Sequence, residues 1–529
     1  MTQPLPYSAH LAPKKLRRLK GYKERLTVGQ YLLKRLGSLK VHALFGRLDE
    51  IHPSLLQIMR DGEEKMDFIE TKHAFEMAHG FAKINRLGAL AACDLTIIKQ
   101  IIQLFQASCE NVPLVTIFCT KEGPVKNEKT TLHFEFDAEK NERKETLDFL
   151  IKNNFFIYSV LDDAELAAKK IDRTLDSAYH FQKPVCFELS EKMCDAFIPQ
   201  HIQKKTSFPQ SDPEILRDCI RNLKMILETA YKPFLCIGNA VEAYQTAALA
   251  IQFAENLGIP ICTELHARGV IVEEHPLFFG LYSEDLPQAL LGSDTALFCG
   301  SSQKNKMEKF NHSIHICDEY TIIDALRYPH IYLYDVIEQL ALSDFGPKKE
   351  IAFPKAKQYP FQAQAGAKIT LERLVSCILK YIQTILLVTG QEKGSLLSKM
   401  QDSIFPQGSL LTSEQEADFI LPASIGASFA VKDLPHKRRP LALLTAAEFQ
   451  TNLADLTSAL QYGIKPLIVI YRDGKDCFSM HYKALEKLYG QGKVLQTTTE
   501  ELFEEALKEA LQGDHDSFFL IDALLASSS

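Results

Sequence analysis

Tryptophan is absent from this chain of 529 residues, so one of the side chains that most often anchors an interface plays no part in it. No apolar run reaches the roughly 18 residues a membrane-crossing helix needs, and no such span is expected. The twelve cysteines contain no CxxC pair. Cys93, Cys109, Cys119, Cys186, Cys194 and Cys477 are scattered, several of them inside apolar runs such as VTIFCT and LFCG. That spacing excludes a zinc-finger type of site and reads as buried, reduced thiols in a cytoplasmic protein. Neither sign of charge dominates: 60 basic residues stand against 67 acidic ones, a net of -7, which argues against nucleic acid as a partner. Near the start, PKKLRRLKGYKERL is basic but lacks the apolar core of a secretory signal. It reads as a solvated lead-in, with a transit peptide or a contact to an anionic surface as the alternatives.

Apolar residues make up 46% of the chain, ample for packed interiors, and its length suggests about three domains of roughly 150 to 200 residues each. After a basic lead-in over 1–25, helix-period segments alternate with short β-rich runs. TVGQYLLKRLGSL, HPSLLQIMRDG and KHAFEMAHGFAKIN carry the helical spacing. VHALFG, KMDFIE, GALAACDL, PLVTIFCT, FIYSV and PVCFEL read as strands. Strands separated by helices of this length imply βαβ units and a parallel sheet. The pattern predicts a first domain over 26–199. A second, over 210–340, contains KPFLCIGN, a helix over Ala243 to Leu257, IPICTEL, DTALFCG and SIHICDE. A segment rich in Pro, Lys, Gln and Gly over 341–367 reads as an exposed linker. A third domain over 368–529 has TILLVTG, LALLTA, PLIVIYRDG and SFFLIDALL as strands. The fold class is therefore α/β, with three doubly wound parallel-sheet domains.

The order of these segments resembles that of the thiamine-diphosphate-dependent 2-oxo-acid decarboxylases, the family of pyruvate and indolepyruvate decarboxylase. The resemblance runs from about Leu26 to Leu525. It rests on LTVGQYLLKRLGSLKVHALFG, FIETKHAFEMAHGFAKIN, ENVPLV, ELHARGVIVEEHPLFFGLYSED, and the long stretch from PASIGASFAV to PLIVIYRDG. It implies a pyrimidine-binding, a middle and a diphosphate-binding domain in that order. It also implies thiamine diphosphate and magnesium as cofactors, a small 2-oxo acid as substrate, and a homo-dimer or homo-tetramer.

Carried over residue by residue, the family's acid against the aminopyrimidine falls on Glu70 in FIETKHAF, where a helix-terminal carboxylate is the alternative reading. Its loop acid falls on Glu50, after Asp49 in a place where glycine is usual. Its His-His pair becomes His133 followed by Phe134, so one imidazole remains. Glu70, Glu50 and His133 are the catalytic candidates. In the diphosphate domain the family's Gly-Asp-Gly turn, whose Asp binds magnesium, falls on Thr445-Ala446-Ala447. The Asn-Asn pair falls on Arg472-Asp473. Asp473 and the carbonyl of Lys475 are the candidate metal ligands, and Arg472 or Lys475 the candidate partners of phosphate; a plain Asp-Gly turn at Asp473-Gly474 is the alternative. A distal glutamate is replaced by Ser479, a bulky apolar residue by Ala417 and a glycine by Thr96. In the second domain CIGNAVEAYQ has one Gly where a dinucleotide site would have three.

Two functions follow. The first is decarboxylation of a 2-oxo acid to an aldehyde on a divergent site. The second is a silent paralogue, a binding or structural subunit that kept the scaffold and lost the cofactor.

Overall fold

The computed structural model describes residues 26–62, 66–92, 98–120, 156–199, 210–282, 292–301, 310–346, 361–390, 405–413, 418–432, 438–473, 481–512 and 517–526, together with residue 290. Three sheets follow one another along the chain. The first has six strands, β1 (Ala43–Gly46), β2 (Asp67–Glu70), β3 (Gly88–Ala92), β4 (Leu114–Thr120), β5 (Ile157–Leu161) and β6 (Val185–Ser190). They lie in the order β2-β1-β3-β4-β6-β5, and every pairing is parallel. β3 and β6 are buried at every position, as strands covered by helices on both faces must be.

The second sheet has seven strands: β7 (Pro233–Ile237), β8 (Ile261–Thr263), β9 (Phe278–Leu281), β10 (Thr295–Cys299), β11 (His312–Ile316), β12 (Tyr320–Ile323) and β13 (Leu326–Pro329). Here the expectation of a wholly parallel sheet needs one correction. β12 and β13 join antiparallel at one edge, through short turns rather than crossover helices. The helix expected over Ala243 to Leu257 is also two, Ala240–Ala243 and Ala247–Leu257, broken where Gln245 takes a φ of 56°.

The third sheet is again six-stranded and parallel: β14 (Ile385–Gly390), β15 (Leu410–Ser413), β16 (Arg439–Thr445), β17 (Leu467–Asp473), β18 (Lys493–Thr497) and β19 (Phe519–Leu525), in the order β15-β14-β16-β17-β19-β18. Phe345 and Phe361, at the two ends of the Pro- and Lys-rich segment, are buried in the second- and third-domain cores. No described helix is long and apolar enough to cross a membrane.

The first and third domains share one core, and two helices make it. Ala74–Asn85 packs on Ile420–Val431 so closely that a Cβ on Gly80 would overlap the Ala423 carbonyl, and one on Gly426 the Met77 carbonyl. Only glycine permits that approach. The pairs 80 with 423 and 77 with 426 run in opposite directions, so the helices are antiparallel. Ile420–Val431 is apolar or small throughout and almost wholly buried, as a helix enclosed on all sides should be.

Candidate functional site

β2 ends at Glu70, which pairs with Gly46 at the end of β1. The Glu70 side chain is exposed. Its backbone amide donates to the Tyr462 hydroxyl of the third domain at 3.2 Å. The next residues are fastened to the same helix. Asp455, buried in the helix Leu453–Gln461, accepts from the Thr71 hydroxyl at 3.2 Å and pairs with His73 Nδ1 at 2.6 Å. His73 is the N-cap of Ala74–Asn85, and its amide donates to Thr71 Oγ1 at 2.9 Å. This stretch of sequence is thus held by a partner more than 380 positions away.

Beside Glu70 the loop after β1 carries Arg47, which pairs with Asp49 at 2.7 Å and lies 3.9 Å from Glu50. Arg47 holds the exposed Asp49 carboxyl below its ordinary range. Burial pushes Glu50 the other way, above the ordinary carboxylate range, with Arg47 opposing. Arg47 and Glu50 stand with Thr71, Lys72, Glu76 and Gln103 around a cavity of about 200 Å³ whose remaining lining is mostly apolar. Glu76, buried, accepts from Gln103 Nε2 at 2.7 Å. A half-enclosed carboxyl with a raised pKa can hold a proton near a reacting group.

The third-domain turn has a different character. Thr445 ends β16 and is the N-cap of the helix Ala446–Thr451. Its hydroxyl accepts from the Glu448 amide at 3.3 Å. The Glu448 carboxylate accepts from the Thr445 amide at 2.6 Å and from its hydroxyl at 2.9 Å. This is a closed capping box, and the chain's own carboxylate sits at the helix N-terminus where an anion would otherwise be favoured. Ala446 is buried and offers no oxygen ligand. Among the described residues no group of three or more His, Cys, Asp or Glu could hold a metal ion.

Arg472, which the sequence offered as a phosphate partner, is engaged within the sheet. Its guanidinium makes two hydrogen bonds to Asp522 on β19, at 2.8 and 2.9 Å, and Gln496 also donates to that carboxylate. Asp473 is the last residue of β17, in register with Leu525. The Asp473 side chain, Lys475, His133, Thr96, Ala417 and Ser479 lie outside the described residues. The turn residues present therefore do not fit a magnesium-bound diphosphate: the expected acid is gone, and the Glu448 carboxylate already lies at the helix terminus.

The two parts of the site are also far apart within one chain. Gly390, at the C-terminal end of β14, lies against Ile420 at the start of Ile420–Val431, so the Thr445 edge of the sheet is at that helix's N-terminus. Glu70 lies at its other end. Tyr462, which Glu70 touches, packs its ring on Phe429 at 6.3 Å, and Tyr462 closes the helix that leads back to the start of β17. A helix of twelve residues is about 18 Å long, and it separates Glu70 from the edge that bears Thr445.

In sequence and fold the chain is similar to thiamine-diphosphate enzymes. Residues 220–337 match the family described as thiamine pyrophosphate enzyme, central domain. The pyruvate decarboxylases of Kluyveromyces lactis and Candida albicans are each 20% identical to this chain over 85% of its length and 84% of theirs. The solved thiamine diphosphate-dependent 4-hydroxybenzoylformate decarboxylase of Rhodococcus jostii RHA1 superposes with a TM-score of 0.70 at 19% identity, covering 95% of this chain and all of that one. A thiamin diphosphate-dependent enzyme, so described only provisionally, from Mycobacterium smegmatis gives the same TM-score at 15% identity, covering 95% of this chain. Over its middle domain the chain matches the thiamine pyrophosphate enzyme family, and over most of its length it is similar to the pyruvate decarboxylases.

Two sets of residues escaped the sequence reading. The Thr-x-x-Glu signature of a capping box was legible at Thr445 and Glu448. The Asp455 and Tyr462 contacts were not, since nothing local marks a residue whose partner lies in another domain.

Proposed function

We propose that this chain is a catalytically silent relative of the thiamine-diphosphate-dependent decarboxylases, one that acts by association as a binding or structural subunit. One observation carries the reading: the Thr445 turn lacks the metal acid, and Glu448 occupies the helix terminus in its place. Magnesium needs near-octahedral oxygen ligation, and Asp473 by itself cannot replace both the charge and the geometry of two ligands. A closed cap also stabilises the helix locally, so the turn needs no ligand to hold its shape.

The competing reading is non-oxidative decarboxylation of a 2-oxo acid to an aldehyde. It draws support from Glu70 at the strand end and from Glu50, whose raised pKa suits a proton relay. It requires His133 to act without a second imidazole, and Asp473 with the Lys475 carbonyl to hold the metal. The deciding assay is carbon dioxide release from a panel of 2-oxo acids at saturating thiamine diphosphate and magnesium. No release is expected; turnover that Glu70→Gln abolishes is the result that overturns the silent reading.

A further inference from the structure

A cavity of about 440 Å³ lies where all three domains meet, and none of the residues lining it belongs to the site already described. Its volume falls within the roughly 300–1,000 Å³ that small-molecule sites occupy. It opens at the end of the helix Ala74–Asn85 far from Glu70. Lys83 and Arg86 come from that end, Glu110 and Asn111 follow the helix Ile98–Cys109, and Gln182 caps the helix Ala164–Phe181. The middle domain adds Asn239, Glu242 and Gln245 after β7, and the third domain adds Gln407 and Gly408 before β15.

The backbone around this cavity is uncommon. Among the described residues seven other than glycine have φ in the left-handed region. Four of them line the cavity: Arg86 at 69°, Asn111 at 53°, Gln182 at 50° and Gln245 at 56°. At Arg86 and Gln182 this conformation also ends a helix. Sparsely populated backbone conformations gather where a ligand is clamped.

The polar groups divide into those that build the walls and those that face the space. Arg86 belongs to the walls: it donates to the Tyr179 hydroxyl at 3.2 Å and to the middle-domain Ala243 carbonyl at 3.1 Å, with its guanidinium 4.8 Å from the centre of the Tyr179 ring. Glu110 is shared between His79 at 3.2 Å and Lys83 at 3.8 Å. Glu242 is reached through the cavity, and no described residue makes a hydrogen bond or ion pair with its carboxylate. The surrounding protein pushes that carboxyl above its ordinary range, and the Lys83 charge is near enough to oppose the shift. The side-chain amides of Asn111, Asn239, Gln245 and Gln407 have no described partner either. Two cations and two carboxylates leave the lining without net charge, and the amides can donate or accept.

We propose that this cavity binds a free amino acid, its carboxylate on Lys83 and its ammonium on Glu242, with the unpartnered amides taking its remaining polar atoms. A lone anion would leave Glu242 unpaired, and a lone amine would leave Lys83 to Glu110. A bound amino acid touches all three domains and so fixes the middle one against the other two. The proposal makes no use of the Thr445 turn and is tested separately from the silent reading.

The test is thermal unfolding of the full chain with each of the standard amino acids in turn, followed by calorimetric titration of the one that raises the midpoint most. Its N-acetyl derivative, which lacks the ammonium, and its α-carboxamide, which lacks the carboxylate, should each bind at least roughly tenfold more weakly, the scale of a lost hydrogen bond between charged groups. Glu242→Gln should weaken the amino acid by a similar factor and leave the N-acetyl derivative unchanged. Since Glu242 has no described partner to lose, that variant should keep the wild-type midpoint when no ligand is present. Lys83→Met should weaken the amino acid and spare the carboxamide; if that variant does not fold, the carboxamide and Glu242→Gln decide. The proposal is overturned if no amino acid shifts the midpoint, if either derivative binds as tightly as its parent, or if Glu242→Gln leaves the affinity unaltered.

Discussion

The Glu448 carboxylate receives both the amide and the hydroxyl of Thr445, at 2.6 and 2.9 Å, and so closes the turn that joins β16 to its helix. Glu448→Ala should therefore destabilise the third domain by about 1 kcal/mol, as loss of a helix cap usually does. Chemical denaturation followed by circular dichroism measures it. A variant as stable as wild type would mean that the carboxylate does not hold the turn.

Gly80 and Gly426 set the distance between the first and third domains. Gly80→Val places branched carbon against the Ala423 carbonyl, in a core with no room to yield. A loss of at least roughly 2 kcal/mol is expected from overpacking alone. An unchanged unfolding midpoint would contradict the helix crossing described above.

Asp455 fastens Thr71 and His73 to the third domain from within a buried contact. Asp455→Ala leaves both partners without their acceptor and should cost on the order of 2 kcal/mol. In a double-mutant cycle with His73→Ala the coupling should exceed about 0.5 kcal/mol, the level separating neighbours from independent sites. Strict additivity would show that the two residues do not interact.

Acid sensitivity has a named source in the third domain. Burial by itself pushes the Glu504 carboxyl up, but hydrogen bonds from Lys380, Tyr381 and Lys508 outweigh it and hold the pKa at about 2, against an ordinary value of 4.5. A depressed pKa means that the unfolded chain binds the proton first. The stabilisation is thus present above pH 4.5 and is lost as pH falls toward 2. Glu504→Gln should lower the thermal midpoint at pH 7, and the gap to wild type should shrink steadily below pH 4.5. A gap that is constant with pH would assign the effect to packing.

Strands such as Leu114–Thr120 and Leu467–Asp473 were legible in the sequence because a buried parallel strand reads as an unbroken apolar run between turn signals. β13, with the sequence LRYP, was not. It is an exposed edge strand ending in proline, so it has neither an apolar run nor clean alternation. The helix break at Gln245 was hidden because AYQTAALA keeps helical composition straight through it. At the site, the missing acid at Ala446 could be read by register, and the Thr-x-x-Glu spacing at Thr445 and Glu448 carries the signal of the cap that takes its place. Arg472 reads as a free cation until Asp522 on the neighbouring strand is brought alongside it, a contact that only the fold supplies.

The proposed role as a binding or structural subunit works by association, and a second copy of the chain is the expected partner. The chain should sediment as a dimer or larger assembly at micromolar concentration; a single species of about 60 kDa would contradict that expectation.

The closed turn at Thr445 is tested most directly by calorimetric titration of thiamine diphosphate into two proteins, each with and without magnesium. One is the wild type; the other carries Thr445→Gly, Ala446→Asp, Ala447→Gly and Asp473→Asn. The account predicts little or no heat from the wild type and no response to magnesium, with magnesium-dependent binding gained by the variant, because the substitutions remove the cap and rebuild two side-chain ligands. Tight, magnesium-dependent binding by the wild-type protein would contradict it and would return Asp473 to the role of working ligand.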